Sequence, residues 1–273
     1  MSDRARRDTS TRSDFIARLI VAIPAGAAAI AVIIAGGAWF AAVLGALGLV
    51  CIHELFAMFD VAKPSRLAGF IGVAGVLVAA ALGDMQDVMM AFMAAFVVVF
   101  LLVTRQPAGG GAPAISVTAL GITWIGLALA HAVLLRRLEH GDTLIFAVAL
   151  GTFLGDTAAY LGGRAFGRTR LAPAISPNKT VEGLLAGIVV CIGTVWYVGL
   201  SNGTWMGGQR GALLGLAVAV AAPLGDLFES YLKRDAGTKD TGTLFGPHGG
   251  ALDRIDAVMF AAVAGFYTWL AVV

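Results

Sequence analysis

Charge is what this sequence has least of. Asp, Glu, Lys and Arg make up 13% of its 273 residues, against roughly 25% in an ordinary soluble domain. A soluble fold of this size could not cover its surface with so few charges. The two signs nearly cancel, 19 basic residues against 17 acidic, for a net charge of +2. No basic field for a nucleic-acid partner exists. Cysteine is scarce as well. Cys51 and Cys191 lie in apolar runs without a CxxC neighbour and read as small membrane-core residues. The phosphate-binding pattern GxxxxGK[ST] is missing, and no internal repeat or low-complexity tract is visible. The stretch PAGGGAP at 107–113 is the only flexible-looking connector.

What is present is apolar length. Hydrophobic residues make up 59% of the chain, and mean hydropathy is +0.86. A membrane helix needs roughly 20 apolar residues. By that measure the runs predict helices near 15–35, 38–58, 67–83, 86–103, 114–135, 142–162, 181–201, 211–233 and 250–272. The expected fold class is therefore all-α, a polytopic membrane protein of about nine transmembrane helices. The first run exceeds a signal peptide's apolar core of roughly 7–15 residues and is read as a retained helix. The domain reading is a cytoplasmic tail (1–14), an N-terminal helical region (15–106), the connector (107–113) and a C-terminal catalytic region (114–273). Lys and Arg in short loops set orientation. Arg4, Arg6, Arg7 and Arg12 place the N-terminus inside. Alternation then puts Lys63, Arg66, Arg105, residues 164–179 and residues 233–239 inside too. Arg136 and Arg137 fall on the outer side and break the pattern.

Polar residues concentrate in two places. The denser is DLFESYLKRDAGTKDTGTLFGPHGGALDRID, 226–256, which starts inside an apolar helix just after Pro223 and Gly225. Pro223 should loosen that helix. Asp226, Glu229, Ser230 and Lys233 share one helical face, and Asp253 and Asp256 share another at the start of the last helix. Carboxylates at membrane depth are expensive and are usually paired or functional. Asp226, Asp253 and Asp256, with Ser230 as a further oxygen, suit Mg²⁺, with room for a second cation. Lys233, Arg234, Lys239 and Arg254 suit phosphate oxygens. That combination serves reaction at phosphorus.

The second cluster, GDTAAYLGGRAFGRTRLAPAISPNKTVEG, spans 155–183. Asp156 sits near a helix end. Ser176 and Lys179 precede another helix and are phosphate candidates, since helix N-termini attract anions. Read alone, this segment is equally a basic loop followed by a capped helix.

Together these residues resemble the membrane phosphatidate cytidylyltransferases, or CDP-diacylglycerol synthases. The resemblance rests on Ser230-Tyr-Leu-Lys233-Arg234, Lys239-Asp240, Gly242, His248-Gly249-Gly250 and Asp253-Arg254-Ile255-Asp256. GDTAAYLGGRAFG and SPNKTVEG add to it. The two motifs cover under a third of the chain. Gly246-Pro247 stands in place of the family's usual Pro-Gly, Ala251 in place of a larger apolar residue, and Asn178 and Val181 where Lys and Trp are common.

The resemblance implies transfer of CMP from CTP to phosphatidic acid with Mg²⁺, releasing pyrophosphate. It implies a site that opens to the cytoplasm and to the bilayer. Asp226, Lys233, Arg234, Lys239, Asp253 and Arg254 would be catalytic. His248, Gly249 and Gly250 would cap the nucleotide, with Asp156, Glu229 and Asp240 in support. A bacterial inner membrane suits the Ala/Gly/Val-rich composition, and a homodimer is compatible. Other readings remain: an enzyme that cytidylylates another lipid phosphate, a lipid kinase, or a cation-coupled transporter using its intramembrane Asp residues. The DGxxAR…GxxxDxxxD pattern of CDP-alcohol phosphotransferases is absent.

Overall fold

A computed structural model describes residues 26–105, 111–242, 244 and 249–273. The tail at 1–14, the first part of helix 15–35, residues 107–110 of the connector, and His248 lie outside the described residues. Helix α1 is described over Gly26–Ala35. It is followed by α2 (Gly37–Met58), a 3₁₀ turn (Asp60–Ala62), α3 (Arg66–Leu82) and α4 (Met85–Thr104). Next, α5 (Gly111–Gly121) runs through a π-helical stretch (Ile122–Leu127) into α6 (Ala128–Arg137). The chain continues with α7 (Gly141–Phe166), strands β1 (Arg170–Ala172) and β2 (Ser176–Thr180), α8 (Val181–Ser201), α9 (Gly207–Asp235) and α10 (Leu252–Val272).

Among the described residues, seven helices are long and apolar enough to cross a membrane. They are α2, α4, the continuous α5–α6 segment, α7, α8, α9 and α10. Helices α1 and α3 are shorter apolar helices. The chain is thus a polytopic helical membrane protein, and nine is an approximate count. Large apolar side chains such as Trp39, Leu82, Phe153 and Val189 are exposed on the outside, as a lipid-facing surface requires.

Three features depart from expectation. Residues 170–180 form an antiparallel two-stranded ribbon, pairing Arg170 with Thr180 and Ala172 with Ser176. Helix α9 also runs unbroken through Pro223, so Pro223 does not open the helix as expected. In addition, Gly111, placed within the connector, already begins α5.

Helices α7, α8, α9 and α10 pack in succession. Their contacts depend on small residues, as in many membrane helix pairs. A Cβ added at Gly187 of α8 would stand 2.8 Å from the Gly155 carbonyl oxygen of α7. One added at Gly225 of α9 would stand 2.5 Å from the Asp256 carbonyl oxygen of α10. At Gly225, then, the two acid-bearing helices meet backbone to backbone.

Arg136 and Arg137 have a structural explanation. Arg136 Nε donates to the Ile33 carbonyl at 2.8 Å, near the end of α1. Arg137 donates to the Ala80 carbonyl at 2.6 Å and also to that of Gly83, at the end of α3. The last carbonyls of a helix lack intrahelical donors and attract cations. Both arginines serve as caps for neighbouring helices, which accounts for their exception to the loop-charge pattern.

Candidate active site

The charged residues gather where α9 ends, α10 begins and the β-ribbon folds over. At about 1.5 Å per residue, the 29 residues of α9 exceed the roughly 30 Å hydrocarbon layer. Its charged last turns, from Asp226 onward, take up the excess.

Lys233 lies at the centre. Its Nζ is 2.7 Å from Glu229 Oε2, one turn back on α9, and 2.7 Å from Asp253 Oδ1 on α10. Glu229 is fully buried, so this pairing with Lys233 is what makes its burial tolerable. Asp253 Oδ2 accepts from the Gly250 amide at 2.7 Å, the Thr241 amide at 3.0 Å and the Thr241 hydroxyl at 2.8 Å. Gly249 has φ +82°, and a Cβ there would fall 2.5 Å from Asp253 Oδ2. That position requires glycine on both counts.

Asp226 points the other way. Its Oδ2 is 2.5 Å from Lys179 Nζ, carried by β2, and the Ser230 hydroxyl reaches Oδ1 at 3.4 Å. Asp156 of α7 is near enough to interact electrostatically with both Asp226 and Lys179. The ribbon is tied down by Arg234, whose Nε donates to the Ile175 carbonyl at 3.2 Å. Glu182 accepts from the backbone amides of Arg168 and Thr169. Thr180 caps α8 by accepting from the Gly183 amide. One of the α8 amides offered to phosphate in the sequence reading is therefore already satisfied within the chain.

Asp256, nearly buried, lies within electrostatic range of both Glu229 and Asp226. Glu229 Oε1 is buried and, among the described residues, has no hydrogen-bond partner. Two carboxyls that meet out of water need a proton or a cation between them. No group of three His, Cys, Asp or Glu side chains forms a ready-made cage among the described residues. Mg²⁺ in nucleotide sites usually takes one or two carboxylates and completes its shell with water and phosphate oxygens. The donor set is compatible with that mode: Asp226 and Asp256 are the carboxylates that could serve as ligands, with Glu229 beside them.

The family model for the "Cytidylyltransferase family" matches residues 16–272. This chain belongs to the cytidylyltransferase family. Among cytidylyltransferase relatives, the phosphatidate cytidylyltransferase of Brucella melitensis is 34% identical over 258 residues, covering 92% of this chain and 91% of the relative. That of Mycobacterium tuberculosis is 36% identical over 174 residues, 60% of this chain and 52% of the relative. That of Haemophilus influenzae is 38% identical over 126 residues, 45% of this chain and 44% of the relative. The chain thus spans about half the length of the mycobacterial relative it matches.

Within this chain, the structure brings Lys179, Asp226, Glu229, Ser230, Lys233, Asp253 and Asp256 into one cluster. Arg234 and Ser176 adjoin it through the ribbon. Lys239, Asp240 and Arg254 sit at its exposed edge. The sequence reading missed Glu54 and Thr241. Glu54 is a lone acid near the end of an apolar helix, and only the tertiary contact with α10 exposes its role.

Proposed function

We propose that this cytidylyltransferase joins the CMP moiety of CTP to phosphatidic acid, giving CDP-diacylglycerol and pyrophosphate. The observation that carries this reading is the meeting of two charge sets at the emergent end of α9. One set is Asp226, Glu229 and Asp256, and the other is Lys179, Lys233 and Arg234. Membership of the family and the names of its relatives support the choice of nucleotide and lipid.

The lipid phosphate is already an anionic nucleophile, so no strong general base is required. Its oxygen attacks the α-phosphorus of CTP. The bond from that phosphorus to the bridging oxygen breaks, and pyrophosphate departs with the electron pair. The protein's task is to hold two polyanions in line and stabilise the charge that moves onto the leaving group. Two of the three N–H donors of Lys233 go to carboxylates among the described residues, leaving one to offer a phosphate oxygen. Lys179 exchanges Asp226 for phosphate as substrate enters. Asp226 and Asp256 are the residues that would hold Mg²⁺, which would supply charge neutralisation there. Acyl chains remain in the bilayer beside the apolar outer surface.

The decisive experiment uses purified protein in detergent with CTP, Mg²⁺ and phosphatidate. Nucleotide-linked lipid and pyrophosphate should form in equal amounts. A micelle has no second compartment, so transport cannot generate that signal. A folded protein that makes no such product with any phosphatidate would defeat the reading.

We also place the site on the cytoplasmic face of an inner membrane, from the loop charges. Single cysteines at Thr169 and Asp235, both exposed, should react with impermeant maleimide only from the cytoplasmic side. Thr241 is unsuitable for this, being buried against Asp253. Cys51 and Cys191 are buried, which keeps background low. Labelling from outside would reverse the orientation.

A further inference from the structure

Glu54 stands one turn before the end of α2, in the N-terminal part of the chain and away from both polar motifs. Its side chain is buried, with 7% of the residue exposed. Oε1 accepts from the Ala251 amide at 3.0 Å and Oε2 from the Leu252 amide at 2.9 Å. These amides open α10, where backbone donors lack intrahelical partners and the helix dipole favours an anion. The Thr241 hydroxyl, bonded to Asp253, also lies 3.5 Å from Oε2.

Both limbs of the α9–α10 loop close on this one carboxylate. A Cβ at Gly242 would stand 2.6 Å from Oε1. One at Gly250 would stand 2.5 Å from both carboxylate oxygens. Glycine at these positions is what allows the loop backbone to reach Glu54. From there the contacts run through Thr241 and the Gly250 amide to Asp253, and through Asp253 to Lys233.

We propose that Glu54 is a positioning residue for cytidylyl transfer: it clasps both limbs of the α9–α10 loop and so fixes Asp253 and Lys233 against the substrates. This rests on the transfer reading above. Glu54 does not touch the reacting atoms. It sets where Asp253 and Lys233 stand, and misplacement of such groups by about 1 Å can cost on the order of 10²-fold in rate.

The test compares Glu54→Ala, Glu54→Gln, Glu54→Asp, Thr241→Ala and the double variant Glu54→Ala/Thr241→Ala. Each is assayed per folded molecule with CTP, Mg²⁺ and phosphatidate, and kcat and KM for CTP are separated. Glu54→Ala should lower kcat/KM about 10²-fold. Glu54→Asp should recover part of the loss, because it keeps two acceptor oxygens. Glu54→Gln should not recover it, because the amide turns a donor toward a backbone N–H. The double variant should be no worse than the poorer single variant, since both act through Asp253. If Glu54→Ala does not fold, Glu54→Gln carries the same comparison.

A merely structural role would reduce the yield or thermal stability of folded protein while leaving kcat and KM of the folded fraction unchanged. That result, or additivity in the double variant, overturns the proposal. If the wild type itself makes no lipid product, the transfer reading fails separately. Amide exchange at residues 249–253 then decides the clasp. It should speed up about tenfold or more in Glu54→Ala, and unchanged exchange rejects the clasp.

Discussion

Asp256→Asn is expected to lower turnover by about 10²–10³-fold, the usual cost of removing one preorganised group from a charged transition state. Asp226→Asn should do the same. The two carboxylates are proposed to share one cation and lie within electrostatic range of each other, so the double variant should lose much less than the product of the single losses. Both variants should need more Mg²⁺ for half-maximal rate. Pyrophosphate release across a Mg²⁺ titration measures all of this, with purification yield as the control for folding. Wild-type activity in Asp256→Asn, or activity that survives exhaustive chelation, would remove the metal from the mechanism. Asp253→Asn should also be slow, by a different route. Asp253 bonds with Lys233, Thr241 and Gly250, so its loss should disturb the loop more than the metal requirement.

Lys233→Ala should be the most damaging single change to the protein as a whole. The ammonium joins a fully buried carboxylate to the one that anchors the loop. Removing one partner of a buried pair costs about 3–5 kcal/mol, because the charge left behind is uncompensated. Activity should fall to background as well. Stability and catalysis can be separated with Lys233→Met/Glu229→Gln, which removes both charges and keeps the volume. That variant should recover most of the lost thermal stability and none of the turnover. Recovered turnover would mean that Lys233 acts only as a strut. Lys63→Ala, an exposed basic residue in another loop, should leave turnover near wild type.

Much of the architecture was legible because a lipid-facing helix must be both apolar and long. The run 181–201 is helix Val181–Ser201, and the run 38–58 is Gly37–Met58. The composition of 226–256 also marked where charged side chains cluster, since Asp226, Glu229 and Lys233 are placed by helical spacing alone. Partner choice was not legible. Spacing on α9 suggests that Asp226 answers to its own helix, yet it pairs with Lys179 from a ribbon far earlier in the chain. That ribbon was hidden because SPNKT carries Pro and Asn, residues that argue against a strand. Arg136 and Arg137 looked like topological signals because their acceptors are backbone carbonyls of other helices, which no side-chain pattern reveals.

The contact at Gly225 divides the site mechanically. With the α9 backbone seated on the Asp256 carbonyl, the helices that carry Asp226, Glu229 and Asp256 cannot part or slide without losing that contact. The acidic half is therefore an anvil of fixed spacing. The cationic half is held differently: Lys179 stands on a short ribbon braced by the Arg234 side chain, and Lys239 on an exposed loop. Of the cations, Lys233 is fixed with the helix pair between Glu229 and Asp253, so Lys179 and Lys239 are the ones whose supports can shift to meet anions of different size.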